Sequence, residues 1–364
     1  MAELTQTTEL IEQGIAERLH VGAQLYVSRN REVVADLGLG EAHQGVPLLP
    51  DTLMPWMSGS KPIGAVAVAQ LRDRGVLDFD DRVTHHIPEF AANGKDAITI
   101  RHLLTHTAGL RPPAPGWDAR PWDEIVAAVS ATSLQPGWTP GEKAGYSAAA
   151  SWFILGEIVR RADGRPYERY VREEILEPLG MVDSWIGMPR DRYRAYGDRI
   201  SLMHDTTKRP IEVEDPAMAE RAATQCRPGG GGRGPMREMG RFYEMLLAGG
   251  ERVLSAESVR ELTSRHRVGL FDNTFRHVID WGLGFIVNSN RYGPDTVPYG
   301  FGRHASEETY GHGGAQSSAS FADPQHGLVV AIVWNGTPGE PRHQARARET
   351  LTALYEDLGL DDRR

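Results

Sequence analysis

"MSGSKPIG", residues 57–64, holds two serines, Ser58 and Ser60, and one lysine, Lys61. If a helix starts near Ser58, residues three apart share a face, so Ser58 meets Lys61. Ser60 adjoins Lys61 and diverges from it by about 100° around the axis. Pro62 suits the first turn, where a missing N–H costs little. Its ring nitrogen leaves the Ser58 carbonyl without its usual partner four residues on. A helix start also favours a developing alkoxide. A serine hydroxyl needs a base before it attacks anything. Lysine becomes a base only when burial or a nearby positive charge lowers its pKa. The flanks "LMPWM" (53–57) and "IGAVAVA" (63–69) are apolar enough to bury it. The plain alternative is a helix-capping serine followed by a solvated lysine.

Outward from this stretch the pattern alternates. Residues 6–18 read as an amphipathic helix with Leu10, Ile11 and Ile15 on one face. "VGAQLYVSRNREVVADLGLGEA" (21–42) reads as two strands with a turn at "RNRE". "AVAVAQLRDRG" (65–75) is a helix with an apolar face, stopped at Gly75, and three further helices make 60–180 helix-rich. Residues 185–235 read as Pro, Gly and polar loops, including the run Gly229 to Gly232, a flexible hinge or a tight packing point. A helix follows over 235–250. "WGLGFIV" (281–287), "ETYGHGG" (308–314), "SSASFADP" (317–324) and "GLVVAIVWN" (327–335) read as strands, the last apolar enough for a central position. A final helix covers about 343–358. The fold class is α/β (α+β), one sheet built from both ends of the chain around a helical middle. We expect an α/β unit of residues 1–56 and 229–364 and a helix-rich unit of 57–228, with the site at their interface.

Two further motifs bear on chemistry. "EKAGYSAAASWFILG" (142–156) sets Tyr146 just before a helix, where a phenol can relay protons. "YGHGGAQSS" (310–318) sets His312, Gly313 and Gly314 at the end of a strand. The two glycines let a substrate approach the backbone. The N–H of Ala315 could then donate to an oxyanion, with the Ser58 N–H as second donor.

Composition excludes several classes. The 364 residues carry a net charge of −9 with no basic block, so neither nucleic acid nor an anionic membrane is expected as a partner. The single cysteine, Cys226, leaves no internal disulfide and no Cys-based zinc cage. Asp78, Asp80 and Asp81 suit a solvated loop or cap. His102 and His106 have i,i+4 spacing, but no HExxH glutamate follows His102. No metal site and no cofactor are expected. Trp117, Trp122 and Trp138 suit a cleft wall or plain packing. The first residues lack a signal-peptide core, and no run reaches the length of a membrane span. The expectation is a soluble, cytoplasmic protein.

In their joint order and spacing, Ser58-Gly-Ser-Lys61, "ITIRHLLTHTAGL" (98–110), Tyr146-Ser-Ala148 and His312-Gly-Gly314 resemble the serine β-lactamase-like hydrolase family. The likeness is to its class C β-lactamase and esterase branch and runs from about residue 10 to about 357. It implies a β-lactamase/transpeptidase-like fold, an antiparallel sheet flanked by helices plus a helical domain. It also implies that Ser58 forms an acyl-enzyme, that Lys61 and Tyr146 share the proton work, and that Ser58 and Ala315 hold the oxyanion. His312, Gly313, Gly314 and Ser147 would bind substrate. Two departures stand out. Where the family often has Asn after Tyr-x, this chain has Ala148, which cannot hydrogen-bond Lys61 or a substrate amide; Ser147 or Ser151 could stand in for it. Where β-lactamases have Lys-Thr-Gly, it has His312-Gly-Gly, and an imidazole titrating near neutrality is a weaker carboxylate partner. Both favour a small-molecule ester or activated acyl substrate over a β-lactam. A transacylase of secondary metabolism, passing the acyl group to an amine or alcohol, is the alternative. A β-lactamase, a D-Ala peptidase and a non-catalytic binding protein rank below it.

Overall fold

The computed structural model describes residues 4–361. Its centre is a seven-stranded antiparallel sheet of β1 (Gly22–Arg29), β2 (Glu32–His43), β3 (Val46–Pro47), β4 (Ile286–Val287), β5 (Tyr310–Gly314), β6 (Ser318–Asp323) and β7 (Leu328–Trp334). The strand order is β4-β5-β6-β7-β1-β2-β3, so both ends of the chain build one sheet and β7 takes the middle. The register pairs Val330 with Val27 on one side and with Phe321 on the other.

Strand β7 is apolar throughout because both its faces are covered. Leu328, Val330, Ile332 and Trp334 join one core cluster with Ala23, Leu25 and Val27 of β1. That cluster is closed by helices α1 (Thr5–Ala16) and α5 (Glu340–Asp357) through Ile11, Leu351, Leu354 and Tyr355. Val329, Ala331 and Val333 face the other way, into a cluster with Tyr26 and helix α4 (Met236–Leu247). Each fully buried Val, Leu or Ile contributes about 1.5–3 kcal/mol. Gly240 lets α4 approach closely, since a Cβ there would lie 2.2 Å from the Tyr26 ring.

Helix α2 (Lys61–Asp73) departs from the amphipathic expectation. Every residue from Lys61 to Leu71 is buried, so it is a central helix enclosed all round rather than one with a single apolar face. It packs on α3 (Ala150–Asp163), where Trp152 lies over Gly64. The 185–235 region is more ordered than its composition suggests. It contains helices Arg190–Tyr196 and Pro216–Thr224 and a strand, Gly232–Gly234, between Met54–Pro55 and Trp185–Ile186. Strand "WGLGFIV" is shorter than expected, only Ile286–Val287, because Gly284 turns the backbone at φ +82°. Among the described residues, no helix is long and apolar enough to cross a membrane.

Candidate active site

Ser58 sits in a tight turn, Met57–Ser60, that runs directly into α2. The turn is shaped locally. Met57 takes a left-handed φ of +50°, and the Trp56 carbonyl accepts the Gly59 N–H (3.0 Å) and the Ser318 hydroxyl (3.0 Å). The second serine has a structural role: Ser60 Oγ donates to the Met57 carbonyl (2.7 Å) and accepts the Gly232 N–H (2.9 Å). Pro62 does lie in the first turn of α2, but the Ser58 carbonyl is not left bare. The Lys61 N–H, one residue earlier, bonds to it in the tighter three-residue pattern.

Ser58 Oγ stands between two groups. Tyr146 OH donates to it at 2.8 Å, and Lys61 Nζ lies 3.0 Å away. Lys61 is fully buried, and burial holds its ammonium well below the ordinary lysine pKa. Its amine also reaches the carbonyls of Ala148 (3.0 Å) and Gly229 (2.5 Å). Here a sequence expectation needs correcting. Ala148 has no polar side chain, yet its backbone carbonyl supplies the contact to Lys61. The glycine run is a packing point: a Cβ on Gly229 would lie 2.9 Å from Trp152 Cβ and 3.0 Å from the Ala148 carbonyl oxygen. Gly229 therefore lets the chain bring a carbonyl to the lysine, a contact that the run of glycines hinted at but did not specify.

Tyr146 is held by its surroundings. Burial raises its phenol pKa, with the Asp272 charge adding to it, so the group stays protonated. Its backbone N–H donates to Asp272 Oδ1 at 3.2 Å. Asp272 Oδ1 also caps the N–H groups of Thr274 and Phe275, and its Oδ2 pairs with the buried Arg267 guanidinium at 3.1 Å. His106 packs against the Tyr146 and Trp281 rings with centroids 4.6 Å away in each case. Its Nδ1 accepts the Ser147 N–H at 3.0 Å, and burial, then the Arg267 charge, holds its pKa well below 6.5. His102 and His106 do not pair as ligands. His102 forms a capping box with Thr99, while His106, at φ +57° beyond helix Ile100–Leu104, turns into the site.

A cavity of about 40 Å³ opens on Ser58, lined also by Tyr146, Phe275, Ile286, Tyr299, His312, Gly313 and Ala315. A larger one, about 540 Å³, lies between α1 and α5 and shares no residue with it. His312 does not titrate near neutrality as the sequence suggested. Burial lowers its pKa to about 3, and Nδ1 contacts the Gly313 carbonyl at 2.7 Å. Gly314 is required by packing, since a Cβ would lie 2.6 Å from the Trp56 carbonyl oxygen. Ser147 Oγ accepts the Ser151 N–H (3.2 Å) at the start of α3. Asp80 pairs with Arg101, and Asp81 Oδ2 accepts the Asp78 N–H. Trp117 and Trp122 pack on Phe153, and Trp138 donates to the Thr107 carbonyl. Sequence reasoning weighed His106 only as a metal ligand, and it missed Asp272, Arg267, Phe275 and Tyr299, which no motif marks.

Comparison with known proteins agrees in fold. The Beta-lactamase family model matches residues 7–355. Esterase EstB of Burkholderia gladioli is 27% identical, covering 90% of this chain and 88% of that protein. A penicillin-binding protein homolog from Caulobacter crescentus superposes with a TM-score of 0.80 at 29% identity over 97% of each chain. A family VIII carboxylesterase does so with a TM-score of 0.80 at 26% identity over 98% of each.

Proposed function

We propose, for a chain that belongs to the beta-lactamase family of serine hydrolases, that it cleaves a small, uncharged ester or activated acyl compound through an acyl-enzyme on Ser58. The observation that carries this reading is the set of contacts around Lys61. A neutral amine has two hydrogens and one lone pair. In the neutral amine that burial favours, the carbonyls of Ala148 and Gly229 take the two hydrogens and the lone pair accepts the Ser58 proton. Tyr146, protonated, donates to Ser58 Oγ. Every group in the network then has one direction of donation, and Lys61 is the base.

In acylation, Ser58 Oγ attacks the carbonyl carbon and its proton passes to Lys61. The N–H groups of Ser58 and Ala315 receive the oxyanion, a contribution of about 2.7–4 kcal/mol per donor in comparable sites. Collapse of the tetrahedral adduct breaks the bond to the leaving group, which takes a proton from Tyr146 while Lys61 returns one to the phenol. In deacylation an acceptor H–X adds X to the acyl carbon and gives its proton through Tyr146 to Lys61; collapse of that adduct breaks the bond to Ser58 Oγ, which takes the proton back from Lys61. The substrate-binding roles of His312, Gly313, Gly314 and Ser147 belong to this reading. An ester is favoured over a carboxylate-bearing β-lactam because no charged side chain lines the cavity and His312 is neutral. The similarity to an esterase and a carboxylesterase supports the same choice.

A second reading, acyl transfer to an amine or alcohol, is favoured by one feature. Phe275, Ile286 and Tyr299 wall the cavity with apolar surface and restrict water. Supplying a p-nitrophenyl ester with and without an amine separates the two. Free acid in both supports hydrolysis, amide in the second supports transfer, and no turnover of any ester defeats both.

A further inference from the structure

The wall of the Ser58 cavity contains a residue whose placement is over-determined. Tyr299 has a left-handed φ of +55°, a backbone strain that a tyrosine adopts only when held there. Its backbone N–H donates to Gln344 Oε1 at 2.7 Å. Its hydroxyl reaches both Glu340 carboxylate oxygens (2.8 and 3.0 Å) and accepts the Gln316 N–H (3.3 Å). Glu340 and Gln344 are the first two turns of α5, and Gln344 Nε2 donates to Glu340 Oε2 at 3.2 Å. Its ring lies on Gly313, where a Cβ would come within 2.5 Å of Tyr299 Cδ1. The ring also meets Phe275 with centroids 5.7 Å apart, and Phe275 meets Tyr146 at 4.8 Å. Both rings line the cavity, and the Tyr299 hydroxyl reaches from it to solvent-exposed Glu340.

The size of the cavity gives these walls meaning. A water needs about 10–15 Å³ of such space, so about 40 Å³ holds only a few heavy atoms beside Ser58. The walls that bound this space set how bulky a group fits beside Ser58. Of the lining residues, Tyr299 is fastened at its tip by an exposed carboxylate, a bond that water can replace. Ile286 lies in strand β4, and Gly313 and His312 in β5, fixed by the sheet ladder.

Resting on the acyl-enzyme reading above, we infer that Tyr299 is the specificity-determining wall of the site and Glu340 its latch. Together they limit the bulk of the groups bonded to the carbonyl carbon at Ser58, and they select small uncharged substituents. Glu340 acts through Tyr299 and is a positioning residue.

The test uses two ester series with the full chain: p-nitrophenyl esters from acetate to octanoate, and acetates of progressively larger alcohols. Folding of each variant is checked by circular dichroism. Tyr299→Ala is expected to raise kcat/KM for the largest member relative to the smallest by about tenfold or more in at least one series. Tyr299→Phe and Glu340→Ala should shift the same ratio less, and the double variant no further than either, because both remove the contact between the Tyr299 hydroxyl and the Glu340 carboxylate. A purely structural role would lower all substrates together. Ratios in both series that stay within about twofold of wild type in folded Tyr299→Ala overturn the wall, and additive effects of Tyr299→Phe and Glu340→Ala overturn the latch. Short- and long-chain alkyl phosphonates give the same ratio as labelling rates at Ser58. A wild-type protein that neither turns over any ester nor is labelled overturns the acyl-enzyme reading and the wall with it, whereas turnover with unchanged ratios overturns the wall alone.

Discussion

The amine of Lys61 lies 3.0 Å from the hydroxyl oxygen of Ser58, and two backbone carbonyls, of Ala148 and Gly229, take up its other contacts. The pH dependence of catalysis follows from this. Lys61 must be neutral to accept a proton, and burial sets its pKa well below the ordinary lysine value. Tyr146 must stay protonated, and burial raises its pKa. The profile of kcat/KM should therefore rise on the acid side and hold its plateau past about pH 10, the ordinary tyrosine value. His312, at about 3, should add no inflection between neutrality and mild acid. An acid limb centred near the ordinary lysine pKa would contradict a neutral Lys61.

Tyr146→Phe removes the hydroxyl that donates to Ser58 and should lower kcat by about 10²–10⁴-fold with little effect on stability. Asp272→Ala should behave differently. It strands the buried Arg267 guanidinium and releases the Tyr146 N–H. Breaking such a pair costs about 3–5 kcal/mol, so the loss should appear in denaturant unfolding as well as in rate. Equal stability of the two variants would refute the positioning role of Asp272.

How far these residues were legible differs for each. Ser58 over Ser60 follows from spacing alone, because three residues apart is one face in a three-residue turn as well as in an α-helix. The central position of 328–334 follows from its unbroken apolar run. Ala148 was misjudged because its side chain was weighed and its carbonyl was not; backbone groups carry no mark in the residue letters. The Gly229 carbonyl was hidden for the same reason. The sequence implies a pKa near neutrality for His312 because burial is a tertiary property, decided by Trp281 and Tyr146 packed around it. Asp272 lies 126 residues from Tyr146, whose N–H it holds, in a two-residue strand that no local pattern dictates, and Tyr299 reaches the site from a loop.

Gly229→Ala should harm rate more than stability. The added methyl meets Trp152 Cβ at 2.9 Å and the Ala148 carbonyl oxygen at 3.0 Å. Overpacking of this kind costs about 1–3 kcal/mol, while the shift falls on both carbonyls that hold Lys61. A fall in kcat with KM nearly unchanged is expected, and an unaltered kcat would show that the carbonyl placement is not needed.

Stability should fall in acid. Burial lowers His20, His312 and His343 each to about 3. Between that value and the unfolded pKa near 6.5, the unfolded chain binds more protons than the folded one. Stability therefore rises with pH across this window and is lost as pH falls through it. Melting temperatures from pH 7 down to 4 should decline, and replacing His343 with Gln should flatten the slope. A flat profile in the wild type would contradict the neutral, buried state of these rings.

The central claim is that Ser58 carries the acyl group. The most direct measurement is the intact mass of the protein quenched during turnover of p-nitrophenyl acetate, followed by peptide mapping, with Ser58→Ala alongside. An added acetyl group is expected on the peptide containing Ser58, absent in Ser58→Ala, whose kcat should fall by about 10³-fold or more. An adduct on another residue, or turnover preserved in Ser58→Ala, would contradict it.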